Sequence, residues 1–245
     1  TVTARKAAGE VLTSHTNPVT LSGYVPITLT TNIAVGTGSN TWDYPLNSRF
    51  HDARTQVIYL SNEIGPACTI TSLSLEVISP PGQTLENWTI RLLYTDRTSF
   101  PSSGNWVGVP SDEWPVSYQA DELVSTTGWH TFVFDSPEFY NGEHNLLVDF
   151  SFNNSSYSFP GQCRSTPTEN YRSNVFCTDS AYGDPLDWIT DLGHTGPPRP
   201  VPSRMIPNIV LGTTNPGKVP VVVSPATTGP FVSGVWTGEV TVTET

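Results

Sequence analysis

The sequence predicts an all-β fold: a jelly-roll-type β-sandwich of two sheets, with an accessory β segment formed by the terminal strands. Charged residues make up only 13% of the 245 residues, whereas 22 prolines and 19 glycines supply frequent turns. Apolar and polar residues alternate with a period of two in several segments, which is typical of strands with one buried face. Helical periodicity is nearly absent, and about eight strands at this spacing indicate a sandwich.

Five segments of the chain have the residue pattern of β-strands. Residues 24–33 form an alternating stretch dominated by Thr and Ile. Residues 73–77, 88–94, 132–134 and 146–152 each place apolar side chains at alternate positions, which puts them on one face of a strand. Turn clusters such as SPPGQ, NGEHN and STPTEN separate these strands.

The chain divides into three predicted parts. Residues 1–33 form an extended or strand segment, residues 34–213 form the sandwich, and residues 214–245 combine a linker with a β-hairpin or donor-strand segment. Two strands alone are marginally stable in water, so the last part needs a partner in its own chain or in another molecule. In strand exchange or addition, the inserted side chains would be Val221, Val223, Phe231, Val235, Val240 and Val242.

Composition excludes some partners. The net charge is −11 and the 11 basic residues are scattered, so we expect no nucleic-acid partner. No apolar run approaches the ~20 residues of a membrane span. The turn-rich, charge-poor composition is typical of a secreted β-protein, and we expect an extracellular or cell-surface location.

We expect no enzymatic activity. The loop Gly212–Lys218 has the spacing of a phosphate-binding loop, but it lacks the following Ser or Thr and continues as a strand. The chain has no Gly-x-Ser-x-Gly elbow and no His-Glu-x-x-His motif. Paired carboxylates for a glycosidase could be drawn from Glu76, Glu143 and Asp149, but an acidic sandwich offers such pairs by chance.

Calcium is the one cofactor that the sequence suggests. Two loop segments offer carboxylates, and Ca²⁺ takes six to eight oxygen ligands. The alternative is that these aspartates are turn formers. The ligand candidates are Asp179, Asp184 and Asp187 in one segment, and Asp43 and Asp52 in the other.

Loop aromatic residues provide candidates for stacking on sugar rings. The alternative is that they plug the open ends of the sandwich. The stacking candidates are Trp42, Trp106, Trp114, Tyr182 and Trp188, whereas Trp88 and Trp129 are predicted core residues.

The chain has three cysteines, so at least one of them has no cysteine partner within the chain. Cys163 and Cys177 lie in strand-like runs on either side of a polar loop near Asn170, so a disulfide could bridge a hairpin there. A bridge between Cys68 and Cys177, or three buried free thiols, are the alternatives.

Residues 36–212 resemble a jelly-roll module that is repeated in large secreted bacterial surface proteins of adhesin type. The motifs WDYPLNSRFHDARTQVIYLSNEIG, ITSLSLEV and LENWTIRLLYTDRTSF carry the resemblance. The tail SPATTGPFVSGVWTGEVTVTE resembles the opening of an Ig-like module, here incomplete. The resemblance implies adhesion, binding or scaffolding.

Two functions follow from the sequence. The first is a structural or adhesion protein that forms oligomers or filaments by exchange or addition of its terminal strands, paired with its own copies or with neighbouring modules. The alternative is a carbohydrate-binding module of a larger secreted enzyme or adhesin, which would hold polysaccharide through its loop aromatic residues.

Overall fold

A computed structural model describes residues 21–108, 114–189 and 198–223 of the chain. The described part is built almost entirely of β-strands. These are β1 Leu21–Val35, β2 Asn40–Trp42, β3 Asp52–Tyr59, β4 Cys68–Ser79, β5 Leu85–Thr95, β6 Val116–Glu122, β7 Gly128–Tyr140, β8 Asn145–Asn153, β9 Gln162–Pro167, β10 Ser173–Thr178, β11 Val201–Ser203, β12 Met205–Pro207 and β13 Ile209–Val223. The described helices are short: α1, Ser61–Ile64, and a 3₁₀ turn at Pro185–Asp187.

The strands form two antiparallel sheets packed face to face, so the prediction of an all-β sandwich is confirmed. The seven-stranded sheet has the order β1-β13-β4-β9-β12, with β7 also beside β4 and β2 also beside β9. The six-stranded sheet has the order β11-β10-β3-β8-β5-β6. Strands far apart in sequence are neighbours, as where β3 lies between β8 and β10.

The core lies between the sheets, where alternate residues of each strand point inward. In β8, Leu146, Val148, Phe150 and Phe152 are buried in it, as the alternation predicts. The Trp88 ring of β5 is fully buried, with its centroid 5.8 Å from that of Phe150. Its centroid also lies 5.5 Å from that of Phe132 in β7 of the other sheet, so this large apolar ring packs the two sheets against each other.

The prediction that Trp129 is a core residue is wrong. Trp129 is 51% exposed and lies opposite Glu76 in the pairing of β7 with β4. The inward positions of β7 are taken by its neighbours Phe132 and Phe134. Because successive strand residues face opposite sides, Trp129 falls on the outer face.

Contacts within the chain divide it into two compact units. One unit is Thr30–Asn215, which contains the sandwich. The other is Thr1–Leu29 with Pro216–Thr245, of which the structure describes residues 21–29 and 216–223. No helix in the described part of the chain has the length and apolarity needed to cross a membrane.

Candidate functional site

Three of the five predicted sugar-stacking residues are buried. Trp106, Trp114 and Trp188 are 5%, 2% and 2% exposed, so their faces are not available to a sugar in this structure. They lie over the outer face of the six-stranded sheet rather than at the open ends of the sandwich. Trp42 is half-buried in β2, and Tyr182 is 41% exposed beside Phe176 of β10. Trp42 lies in the seven-stranded sheet, whereas Tyr182 lies in the loop that follows β10 of the six-stranded sheet.

The buried tryptophans cover a charged cluster that the sequence analysis missed. Asp149 of β8 accepts a hydrogen bond from Nε of Arg54 at 2.8 Å and another from Nε of Arg91 at 3.0 Å. All three side chains are at most 1% exposed. The Arg54 guanidinium lies 4.9 Å from the ring centroid of Trp106, and that of Arg91 lies 4.5 Å from the ring centroid of Trp114. These are cation–π distances.

The cluster attaches two loops to the sheet. Arg54 also donates to the carbonyl oxygen of Trp188. Gln56, two residues further along β3, donates to the carbonyl oxygen of Val107 and accepts from its backbone N–H, at 2.8 and 2.9 Å. Burial lowers the pKa of Arg54, which the neighbouring Asp149 carboxylate opposes. The arrangement therefore fixes loops and leaves the cluster closed to a ligand.

The predicted calcium ligands converge in part. Asp52 lies opposite Thr178 in the pairing of β3 with β10, which brings it near Asp179 and Asp184. Asp52 is 8% exposed, and burial raises its pKa to about 6, an effect to which the charges of Asp184 and Asp179 add and which His51 opposes.

The other carboxylates have local structural roles. Asp179 accepts from the backbone N–H of His51, Asp184 accepts from that of Leu186, and Asp43 accepts from the side chain of Gln162. Asp187 is exposed in the 3₁₀ turn. Among the described residues, no three or more His, Cys, Asp or Glu side chains are grouped to hold a metal ion. Calcium stays a prediction.

The predicted disulfide between Cys163 and Cys177 is absent, and all three cysteines are free thiols. Cys163 lies in β9 of the seven-stranded sheet, whereas Cys177 lies in β10 of the six-stranded sheet, so the two runs do not form a hairpin. The Cys163 thiol donates to the carbonyl oxygen of Tyr44 at 3.0 Å, and the Cys177 sulfur lies 3.1 Å from the Tyr44 hydroxyl.

The predicted strand-exchange residues fall at the end of β13 and beyond it. Val221 and Val223 lie in the last three residues of β13, which is paired in the sheet with β1 of the same chain. The other four, Phe231, Val235, Val240 and Val242, lie outside the described residues. Their role in exchange stays a prediction.

The strand β1 is the terminal strand of the seven-stranded sheet in the described part of the chain. It is 15 residues long, and the sequence has no Asp, Glu, Lys or Arg from residue 11 to residue 42. Most of its described side chains are exposed: Pro26, Thr28, Leu29, Thr30, Thr31, Asn32 and Ala34.

Comparisons with protein families, curated proteins and solved structures find no match.

The other sheet ends of the described residues are protected against strand addition. The strands β11 and β12 have three residues each, and short edge strands offer little to pair with. The edges of β6 and β7 are bridged by side chains, with Nε2 of His130 3.0 Å from Oε1 of Glu122. Asp121 and Asp135 add charge there. The strand β1 therefore differs from them in being long and uncharged.

Proposed function

We propose that this protein is a non-catalytic, extracellular structural or adhesion protein that assembles by β-strand addition at β1. The observation that carries the proposal is the length, exposure and lack of charge of this edge strand. Natural edge strands are usually protected by lysine, proline, bulges or shortness. The strand β1 contains one proline, Pro26, and no lysine. The stretch from Ile27 to Val35 contains neither residue type.

Strand addition would pair the backbone hydrogen-bonding groups that such an edge leaves unpaired. An open edge presents backbone N–H and C=O groups in a row, and only another extended chain can pair with all of them. The stretch from Pro26 to Asn32 exposes most of its side chains as well, so an added strand would also bury Leu29 and the threonine methyl groups.

The donor strand in this proposal is the part of the predicted C-terminal segment that follows β13 in sequence, with Phe231, Val235, Val240 and Val242 as the candidate inserted side chains. A donor from one molecule and an acceptor edge on the next make a head-to-tail contact. Such a contact produces open filaments when its rotation does not close into a ring. We therefore expect oligomers whose size increases with protein concentration.

The test introduces a charge on the edge. Thr30→Lys places a lysine on β1, and lysine is a residue with which natural edge strands oppose strand addition. Thr126→Lys is the matched control, since Thr126 is also exposed and lies in the loop between β6 and β7. Molar mass is measured by light scattering over a range of concentrations, with electron microscopy of the same samples.

We expect the unaltered chain and Thr126→Lys to form oligomers or filaments, and Thr30→Lys to remain monomeric with an unchanged circular dichroism spectrum. A monomeric unaltered chain at every concentration would overturn the proposal, as would assembly of Thr30→Lys equal to that of the control.

A further inference from the structure

A cleft of about 350 Å³ opens within the sandwich unit. Its polar lining comes from Glu63 of α1, Thr98 after β5, and Glu169, Asn170 and Arg172 between β9 and β10. Leu60, Pro167 and Ile206 supply apolar surface. The volume lies at the lower end of the range for small-molecule sites, which combine apolar walls with a few placed polar groups.

The polar floor of the cleft is held rigidly. Nη1 and Nη2 of Arg172 donate to the two carboxylate oxygens of Glu63 at 2.8 and 2.5 Å. Nε and Nη2 of Arg172 also donate to the carbonyl oxygen of Ile58, at 2.9 and 2.7 Å. The backbone N–H of Leu60 donates to Oε2 of Glu63 at 2.8 Å, which fixes the carboxylate from a third direction.

This floor offers both kinds of hydrogen-bonding group. The four bonds above use one N–H of Nε, one of Nη1 and two of Nη2, so one of the five N–H groups of Arg172 is left. The side chain of Glu63 is 31% exposed and keeps acceptor capacity. Burial would raise the pKa of Glu63, but the hydrogen bonds from Arg172 and Leu60 lower it, so the carboxylate is ionised at neutral pH.

The rim of the cleft carries exposed polar side chains. Thr98, Glu169 and Asn170 are exposed, and their side chains form no hydrogen bond with another described residue. They present a hydroxyl group, a carboxylate and an amide, which together can donate and accept in several directions. In contrast, the hydroxyl of Thr168 is used by the carbonyl oxygens of Asn170 and Arg204.

We propose that this cleft binds a neutral polyol, such as one sugar unit of a glycan. The charge of Glu63 is already balanced by Arg172, so the floor does not require a cationic ligand. Adjacent hydroxyl groups donate and accept at once, which matches the exposed part of the Glu63 carboxylate together with the hydroxyl, carboxylate and amide groups of the rim. The C–H faces of a sugar would pack on Leu60, Pro167 and Ile206. This site does not depend on the assembly of β1, and it differs in place and chemistry from the aromatic loop residues.

The test uses the full chain and four defined probes: glucose, galactose, mannose and N-acetylglucosamine, each at millimolar concentration. Binding is detected by saturation-transfer NMR, and affinity is measured by titration. Glu169→Ala is paired with Glu143→Ala, and Thr98→Ala is paired with Thr126→Ala, because each control removes the same residue type from an exposed site outside the cleft. Spermidine serves as a cationic probe.

We expect at least one of the sugars to bind, with affinity about three- to tenfold lower in Glu169→Ala and in Thr98→Ala and unchanged in their controls. Absence of binding for all four sugars overturns the proposal. Equal affinity in the cleft variants and their controls overturns it as well, and binding of spermidine alone would identify a cation site instead.

Discussion

Nε of Arg54 donates a 2.8 Å hydrogen bond to Oδ1 of Asp149, and neither side chain is more than 1% exposed. With Arg91 on the other carboxylate oxygen, one negative charge is shared by two positive charges on the outer face of the six-stranded sheet. Buried charges are costly unless they are paired and hydrogen-bonded. Here the pairing also connects the strands β3, β5 and β8 to the loops that carry the buried tryptophans.

Removing the shared carboxylate charge should therefore destabilise the protein strongly. Asp149→Asn leaves two guanidinium groups buried without a counter-charge, and we expect a loss of about 3–5 kcal/mol in the free energy of unfolding. Urea denaturation followed by tryptophan fluorescence measures it, because Trp106 and Trp114 report on the same cluster.

Asp135→Asn is the control for this variant, since Asp135 is exposed on β7 and the same chemical change there should cost less than about 0.5 kcal/mol. Equal stability of the two variants would show that the cluster does not hold the loops in place.

The protonation of Asp52 should make stability depend on pH. Burial raises its pKa from 3.8 to about 6, with the Asp184 and Asp179 charges adding to the effect and His51 opposing it. The folded state therefore binds this proton more tightly than the unfolded state, and the contribution of Asp52 to stability is lost as the pH rises from about 4 through 6.

Asp52→Asn removes this dependence. We expect the variant to be more stable than the unaltered chain by on the order of 1 kcal/mol above pH 7, and the difference to vanish near pH 4. Denaturation at a series of pH values in the presence of a chelator measures the difference without divalent ions. A variant that is less stable than the unaltered chain at pH 8 would contradict the prediction.

A close approach of two loops should make one glycine irreplaceable. Gly104 has φ of +68°, and a Cβ atom there would collide with the carbonyl oxygen of Pro200. Gly183 has φ of +76°, but a Cβ atom added there would meet open space. Both substitutions to Ala carry the left-handed backbone cost of about 1–2 kcal/mol, and only Gly104→Ala adds the collision.

We therefore expect Gly104→Ala to lower the melting temperature more than Gly183→Ala. Thermal denaturation followed by circular dichroism compares the two variants directly. If their melting temperatures agree, the loop containing Gly104 moves away from Pro200 at little cost.

The sequence predicted the sandwich because alternation survives in strands such as β8, where inward Phe150 and outward Asp149 obey the period of two. The alternation does not show whether other parts of the chain cover the outer face of a strand. Arg54, Gln56 and Ile58 are outward in β3, yet they are buried because distant loops lie over them. Local sequence therefore identified Trp106, Trp114 and Trp188 as loop residues and could not show that they are buried.

The available clue to the charged cluster was indirect. Arg91 and Asp149 are charged residues in the middle of strands with apolar residues on both sides, and Arg54 is a charged residue inside a third strand; such residues need partners when both faces of a sheet are covered. Which partners they find depends on the order of strands, since Arg54 and Asp149 are 95 residues apart in sequence.

Strand order also determines which cysteines lie close together. The cysteine-containing strands nearest in sequence, β9 and β10, belong to different sheets and do not form a hairpin, and all three thiols are free. Alkylation under denaturing, non-reducing conditions should therefore modify three cysteines, as measured by the mass of the intact chain. In the native protein, burial raises the pKa of Cys68, Cys163 and Cys177.

Because the thiolate is the reactive form, alkylation of the native protein at pH 8 should be slow at all three sites. Cys177 should react first, since it is only partly buried, and fully buried Cys163 should react only with unfolding. Modification of a single cysteine under denaturing conditions would instead show that two thiols are joined, and peptide mapping would then decide between the bridge from Cys163 to Cys177 and that from Cys68 to Cys177.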